Sequence, residues 1–137
     1  MPMHLEIVTA ERVVLSEEVD QVNAPTRDGR VGILPRHEPL MTVLQAGELT
    51  IIKGGERIPF ALSGGFMEVL SSRVTILADT VERADEIDEE RALRSRVAAE
   101  ERLKSAQTDR DMALAEAKLR KELVRLRVAQ MKNIRRG

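Results

Sequence analysis

Val81-Glu82-Arg83-Ala84-Asp85-Glu86-Ile87-Asp88-Glu89-Glu90-Arg91-Ala92 is the stretch where this chain changes character. All five prolines, seven of the eight glycines and both phenylalanines lie before it. After it there is no proline, and glycine only at Gly137. Turn formers and β-branched residues give way to Ala, Leu, Glu, Lys and Arg, which favour helix. Five of the six residues from Asp85 to Glu90 are acidic, and carboxylates suit a helix N-terminus, where unpaired amides and the dipole favour negative charge. The fold class that follows is α+β. An N-terminal domain of short antiparallel strands, a β-sandwich or a barrel, occupies residues 1–84, and a C-terminal antiparallel two-helix hairpin occupies 85–137.

Before the seam, short apolar runs alternate with turn signals. Met3–Thr9 places Met3, Leu5 and Ile7 on one face. Arg12–Leu15, Val19–Ala24 and Val31–Leu34 follow, with a turn at Thr26–Gly29. Glu48–Lys53 and Arg57–Leu62 flank Gly54-Gly55, a hairpin signal because both glycines can take positive φ. Gly64-Gly65 precedes Phe66–Leu70, and Arg73–Ala78 closes the set. Short strands at this spacing, about eight to ten in all, belong to a sandwich or barrel. Pro35-Arg36-His37-Glu38-Pro39 reads as a rigid turn, either a structural corner or a preformed docking surface.

After the seam, Asp88 is the N-cap expected for a first helix running to about Ser105. Its apolar stripe is thin: Ala92, Leu93, Val97, Ala99 and Leu103. Thr108-Asp109-Arg110-Asp111 resembles a capping box that starts a second helix. That helix carries Met112, Ala115, Leu119, Leu123 and Leu126 at three-and-four spacing, widened by Val124, Val128 and Met131. Two thin stripes bury little, so the hairpin needs a third surface: the β domain, a ligand or another protein.

Composition excludes more than it includes. There is no cysteine, hence no disulfide framework, thiol nucleophile or zinc-thiolate site. The net charge is −1, which gives no global pull toward nucleic acid. It divides into −4 over residues 1–81 and +3 over residues 82–137. No run approaches the ~20 apolar residues of a membrane span, and Met1–His4 shows no signal-peptide pattern. His4 and His37 are the only histidines, and no HExxH, GxSxG or P-loop occurs. An enzyme is therefore disfavoured. From Lys118 to Arg136 there are eight basic residues against one acid, Glu122. This run is a solvated face, a nucleic-acid surface or a contact for an acidic partner. Without aromatic platforms nucleic acid is the weakest of the three.

Four motifs then carry a resemblance. Gly32-Ile33-Leu34-Pro35-x-His37-x-Pro39-Leu40, Ser63-Gly64-Gly65-Phe66-x-Glu68-Val69, Val74–Asp79 and Ile87-Asp88-x-x-Arg91-Ala92 resemble, in order and spacing, the epsilon subunit of F-type ATP synthases. The likeness runs from Leu5 to Met131. It implies a non-catalytic subunit of the central rotor, set against the gamma subunit and the ring of c subunits. Arg30, Gly32, Pro35 and His37 would lie at that contact. It implies a hairpin that folds on the sandwich or extends into the catalytic alpha/beta head and inhibits ATP hydrolysis. In the extended state Lys118, Arg120 and Arg127 would meet an acidic segment of the head. It further implies a peripheral place on the cytoplasmic face of a bacterial plasma membrane, with no direct membrane insertion.

Ile87–Ala92 also resembles the motif by which bacterial members bind ATP as a regulatory ligand, with no catalytic cofactor. By that likeness Glu82, Ile87, Asp88 and Ala92 surround base and sugar, and Arg91, Lys121 and Arg125 face the phosphates. Lys121 and Arg125 are four apart and share a helix face. Ala98 and Lys121 stand where ATP-binding members carry arginine, and lysine lacks the guanidinium fork. Read from the residues alone, Asp88 is equally a plain helix cap. A free-standing nucleotide sensor and a helical-hairpin adaptor are the alternative functions. The adaptor would need a longer and more regular apolar seam than Leu93–Leu103 offers.

Overall fold

The structure, a computed structural model, describes residues 2–131. Its strands are β1 (Met3–Val8), β2 (Val13–Val19), β3 (Gln21–Thr26), β4 (Gly29–Ile33), β5 (His37–Leu44), β6 (Gly47–Lys53), β7 (Glu56–Leu62), β8 (Gly65–Ser71), β9 (Arg73–Ala78) and β10 (Val81–Arg83). A 3-10 turn at Ala84–Glu86 leads into α1 (Glu89–Ser105) and α2 (Asp109–Met131).

Hydrogen bonding links the strands in the order β10-β7-β6-β3-β5-β8-β9-β1-β2, with β4 paired to β3. The pairs are antiparallel apart from β1 and β9, which run parallel with Leu5 beside Val74 and Ile7 beside Ile76. β3 meets β5 only at Thr26 and Leu44. The ribbon turns at this narrow join, and its halves close over one aliphatic core. Alternation drives the closure. Met3, Leu5 and Ile7 are fully buried on β1, and Met67, Val69, Val74 and Ile76 meet them from β8 and β9. Leu49, Ile51, Phe60 and Leu62 supply the opposite half. Period-2 patterning fixes which face is inside, since a one-residue slip would expose every one of these side chains.

β7 breaks the alternation: Pro59, Phe60, Ala61 and Leu62 are all buried in succession. Phe60 and Leu62 point into the sandwich, whereas Ala61 belongs to a second cluster with Ala84, Ile87, Ala92, Val124, Val128 and Ala129. The strand is covered on both faces because α2 lies against its outer side. α1 in turn packs along α2. The helices start as their sequences direct. Asp88 Oδ1 accepts from the Arg91 amide at 3.2 Å, and Thr108 Oγ1 accepts from the Asp111 amide at 3.0 Å.

Three sequence expectations are corrected. The turn at Pro35 is only two residues long, with Arg36 at φ 64°. His37 already belongs to β5, and Pro39 sits within that strand where the register to β8 shifts between His37 and Leu40. A bulge lets a proline lie in a strand because no ladder donor is needed there. The helical stripes also differ. Leu93, Val97, Met112 and Leu123 are each more than two-fifths exposed, while Ala92, Ala99, Ala115 and Ala129 are buried. Close helix approach selects the small residues. Finally, β10 was not anticipated: its three residues pair with Phe60–Leu62 and carry the chain from sandwich to hairpin.

Gly54 and Gly55 hold φ of 58° and 78°, the two-residue turn expected between β6 and β7. Gly65 is more constrained. Its φ is 148°, and a Cβ there would lie 2.1 Å from the Leu77 carbonyl oxygen. Gly65→Ala is therefore expected to destabilise the sandwich by about 2 kcal/mol or more, combining backbone strain with a steric clash. Thermal unfolding of the full chain measures it; an unchanged Tm would show that the β8–β9 pair can yield at this point.

Candidate functional site at the sandwich–hairpin seam

The residues singled out around Ile87–Ala92 converge from four elements. Glu82 stands in the middle of β10, opposite Ala61. Ile87 closes the 3-10 turn, its amide donating to the Ala84 carbonyl at 3.3 Å, and is 4% exposed. Ala92, on the first turn of α1, is fully buried in the same cluster. Arg125 comes from α2 and reaches β10.

Arg125 organises the seam. Its Nε lies 2.9 Å from Glu82 Oε1, and its Nη2 donates to Glu82 Oε2 at 3.2 Å. Nη1 donates to Glu122 Oε2 at 2.8 Å. Glu122 is fully buried, and Lys118 Nζ reaches its other oxygen at 3.2 Å. The chain Glu82–Arg125–Glu122–Lys118 thus alternates in sign and is neutral as a whole. Burial alone would lower the Arg125 pKa, but its hydrogen bonds to Glu82 and Glu122, together with their negative charges, outweigh that cost and raise it above its ordinary value. Glu122 is the lone acid of the basic run. A buried carboxylate among cations needs partners from its own helix, and it has them at i−4 and i+3.

The other residues of the group are placed differently. Asp88 uses Oδ1 as the α1 cap, so the capping role is present. Arg91 is exposed, and Lys121 is half-buried one turn before Arg125. Neither is drawn into an ion pair among the described residues. Ala98 is exposed on α1. The cations available for phosphate are therefore Arg91 and Lys121, while Arg125 is already held by two carboxylates. A groove of about 400 Å³ runs between the helices past Glu89, Leu93, Leu123, Leu126 and Arg127. It is lined by none of the residues proposed for ATP.

The basic residues of α2 do not form one free face here. Lys118 is tied to Glu122. Arg127 borders the interhelical groove. Arg120 overhangs a crevice of about 560 Å³ beside Val43, Gly64, Gly65, Phe66 and Asp79. Lys132, Arg135 and Arg136, the rest of the basic run, lie outside the described residues. In the sandwich, Arg30 and Gly32 are exposed on β4, and Arg30 Nη1 donates to the Glu48 carbonyl at 2.8 Å. Pro35 and His37 sit at the β4–β5 corner, half-buried.

One surface escaped the sequence reading. Val43 on β5 pairs with Phe66 on β8, Phe66 with Leu77 on β9, Leu77 with Val8 on β1, and Val8 with Val13 on β2. The five form a continuous apolar row on the outer face of the sheet, with Phe66 56% and Leu77 54% exposed. No local pattern marks these residues as a group, and only the cross-strand register aligns them into one row. Among the described residues there is no helix long and apolar enough to cross a membrane and no group of three His, Asp or Glu placed to hold a metal ion.

Comparisons with known proteins cover the whole described chain. Residues 2–84 match the family model of the ATP synthase delta/epsilon chain β-sandwich domain, and residues 85–130 that of its long α-helix domain. The ATP synthase epsilon chain of Chloroflexus aggregans is 73% identical over 99% of this chain and 98% of the relative. That of Herpetosiphon aurantiacus is 64% identical over 98% of this chain and 99% of the relative. Among solved structures, a chain of the Euglena gracilis mitochondrial ATP synthase superposes with a TM-score of 0.82, covering 94% of this chain and 81% of that one at 24% identity. Its likeness shows the fold. With both halves matched by their own family models and relatives this similar end to end, the chain belongs to the delta/epsilon family of F-type ATP synthases, as an epsilon subunit of the central stalk.

Proposed function

We propose that this subunit is non-catalytic, couples the rotor to the c ring through its sandwich, and regulates ATP hydrolysis through its hairpin. The observation that carries this reading is the contrast between its two apolar interfaces. The sandwich closes on many large aliphatic side chains, whereas the hairpin docks through four alanines, Val124, Val128, Ile87 and one ion-pair cluster. Hydrophobic gain scales with buried apolar area, so the second interface is the weaker and the separable one. Epsilon-like chains in the Euglena and Tetrahymena structures come from assemblies that include the c ring, which supports placing this sandwich at the same junction. The apolar row from Val43 to Val13 is the surface we assign to gamma. The Arg30, Gly32, Pro35 and His37 corner is assigned to the c ring. That setting puts the subunit on the cytoplasmic face of a bacterial membrane, held there by its partners.

Phe66→Asp places a charge at the centre of the row while leaving the sandwich core intact. It is expected to weaken association with gamma by about a hundredfold or more, the scale of a central interface anchor, with an unchanged circular dichroism spectrum. Gamma binding at parental affinity by the folded variant would remove the row from the interface.

ATP as the regulatory ligand rests on Arg91, exposed on the first turn of α1, and on Lys121, half-buried one turn before Arg125 on α2. A ligand bound only by the docked hairpin stabilises it by about 2.7 kcal/mol at a hundredfold excess over Kd. ATP is expected to raise the unfolding temperature of the hairpin, and Arg91→Ala to weaken binding about tenfold, as for one lost charge-assisted contact (roughly 1.4 kcal/mol,). Calorimetry on the full chain decides it; equal affinity in the variant would return Ile87–Ala92 to the role of a helix start. In the extended state Arg120 and Arg127, neither tied to an acid on α2, are the cations offered to an acidic segment of the catalytic head.

A further inference from the structure

The seam holds a feature that a nucleotide site does not call for. A guanidinium suited to gripping phosphate is held instead by the carboxylate of Glu82 from a different element, through the hydrogen bond from Nη2 and an ion-pair contact of 2.9 Å at Nε. A carboxylate presents two oxygens to an arginine fork in the same planar manner as a phosphate does. Glu122 takes the remaining Nη1 from beneath. Glu82 is fixed from behind by the β10–β7 ladder, where it stands opposite Ala61. Arg125 is fixed by α2, whose neighbouring Val124 and Val128 are buried against the sandwich. The pair therefore ties the strand that ends the sandwich to the helix that must leave it.

We propose that Glu82 is an internal latch: it holds the place of phosphate on Arg125, closes the hairpin without nucleotide, and competes with any triphosphate that enters the seam. The competition rests on the ATP reading above; the latch does not. Two consequences of opposite sign follow. Removing the Glu82 charge loosens the docked hairpin, because Arg125 loses its cross-element partner and keeps only Glu122 on its own helix. The same change strengthens phosphate binding, because the fork is released and a repelling carboxylate is neutralised. A residue that merely supported the fold, or one that held the base or sugar, would weaken both when altered.

Glu82→Gln in the full chain tests this, since glutamine keeps the size and one acceptor at a site only 31% exposed. Glu86→Gln removes an equal charge from an exposed position of the adjoining 3-10 turn and serves as the control. Amide hydrogen exchange across residues 124–129 is read without nucleotide, and ATP affinity by calorimetry. Glu82→Gln is expected to speed exchange in this segment about five- to tenfold, the scale of one ordinary net hydrogen bond, since glutamine keeps one acceptor, and to tighten ATP binding about fivefold, with the control unchanged in both. Exchange at the parental rate overturns the latch. Faster exchange with weaker ATP binding makes Glu82 a nucleotide contact and overturns the competition. If neither chain binds ATP, the nucleotide reading fails, and the exchange result alone upholds or overturns the latch.

Discussion

Phe60 and Ala61 are neighbours on β7, and they face different interiors. Phe60 fills the sandwich, while Ala61 forms the floor on which α2 rests. The strand is the shared wall of both halves of the molecule. A large residue is needed on one side to close an aliphatic core that has no Trp or Tyr to draw on. A small one is needed on the other, so that a helix can lie close to the sheet. Sequence and layer are linked here by one pair of adjacent side chains, and β10, the seam and the hairpin are positioned relative to that wall.

The seam concentrates the protein's electrostatics where its apolar packing is thinnest. Glu122 is buried, and such a carboxylate is tolerable only with good partners. Within α2 Arg125 hydrogen-bonds one of its oxygens and Lys118 sets a positive charge beside the other, and Arg125 also reaches Glu82. Ion pairs of this kind are directional. They fix which turn of α2 faces the sheet, a choice that alanines and valines make only weakly. Because Arg125 and Glu82 are each less than one-third exposed, salt screens their contact less than it would an exposed surface pair.

Much of this was legible in the sequence. The α+β division, the Gly54-Gly55 hairpin, and the caps at Asp88 and Thr108 rest on local chemistry, and local chemistry survives folding. What could not be read depended on partners distant along the chain. Leu93 and Leu123 share helical spacing with buried neighbours, yet period alone does not say which side of a stripe meets another element. Val43, Phe66 and Leu77 are ordinary strand residues until register aligns them across three strands. Pro39 reads in the sequence as the end of a rigid turn, but a bulge accommodates it in β5. The Glu82–Arg125 contact spans 43 positions; both residues were picked out as neighbours of one ligand, not as partners of each other.

The alanine-rich floor under α2 has a thermal consequence. Heat-capacity change on exposure tracks apolar area, so undocking α2 from Ala61 and Ala84 carries far less of it than opening the sandwich. The balance between docked and free hairpin should therefore curve little with temperature, while the sandwich follows the steep dome of an ordinary core. Charged groups also lose hydration free energy as temperature rises, which favours their pairing. A hairpin joined to its platform by small side chains and an ion-pair cluster can thus keep a nearly constant docking balance over a temperature range in which the platform's own stability varies widely.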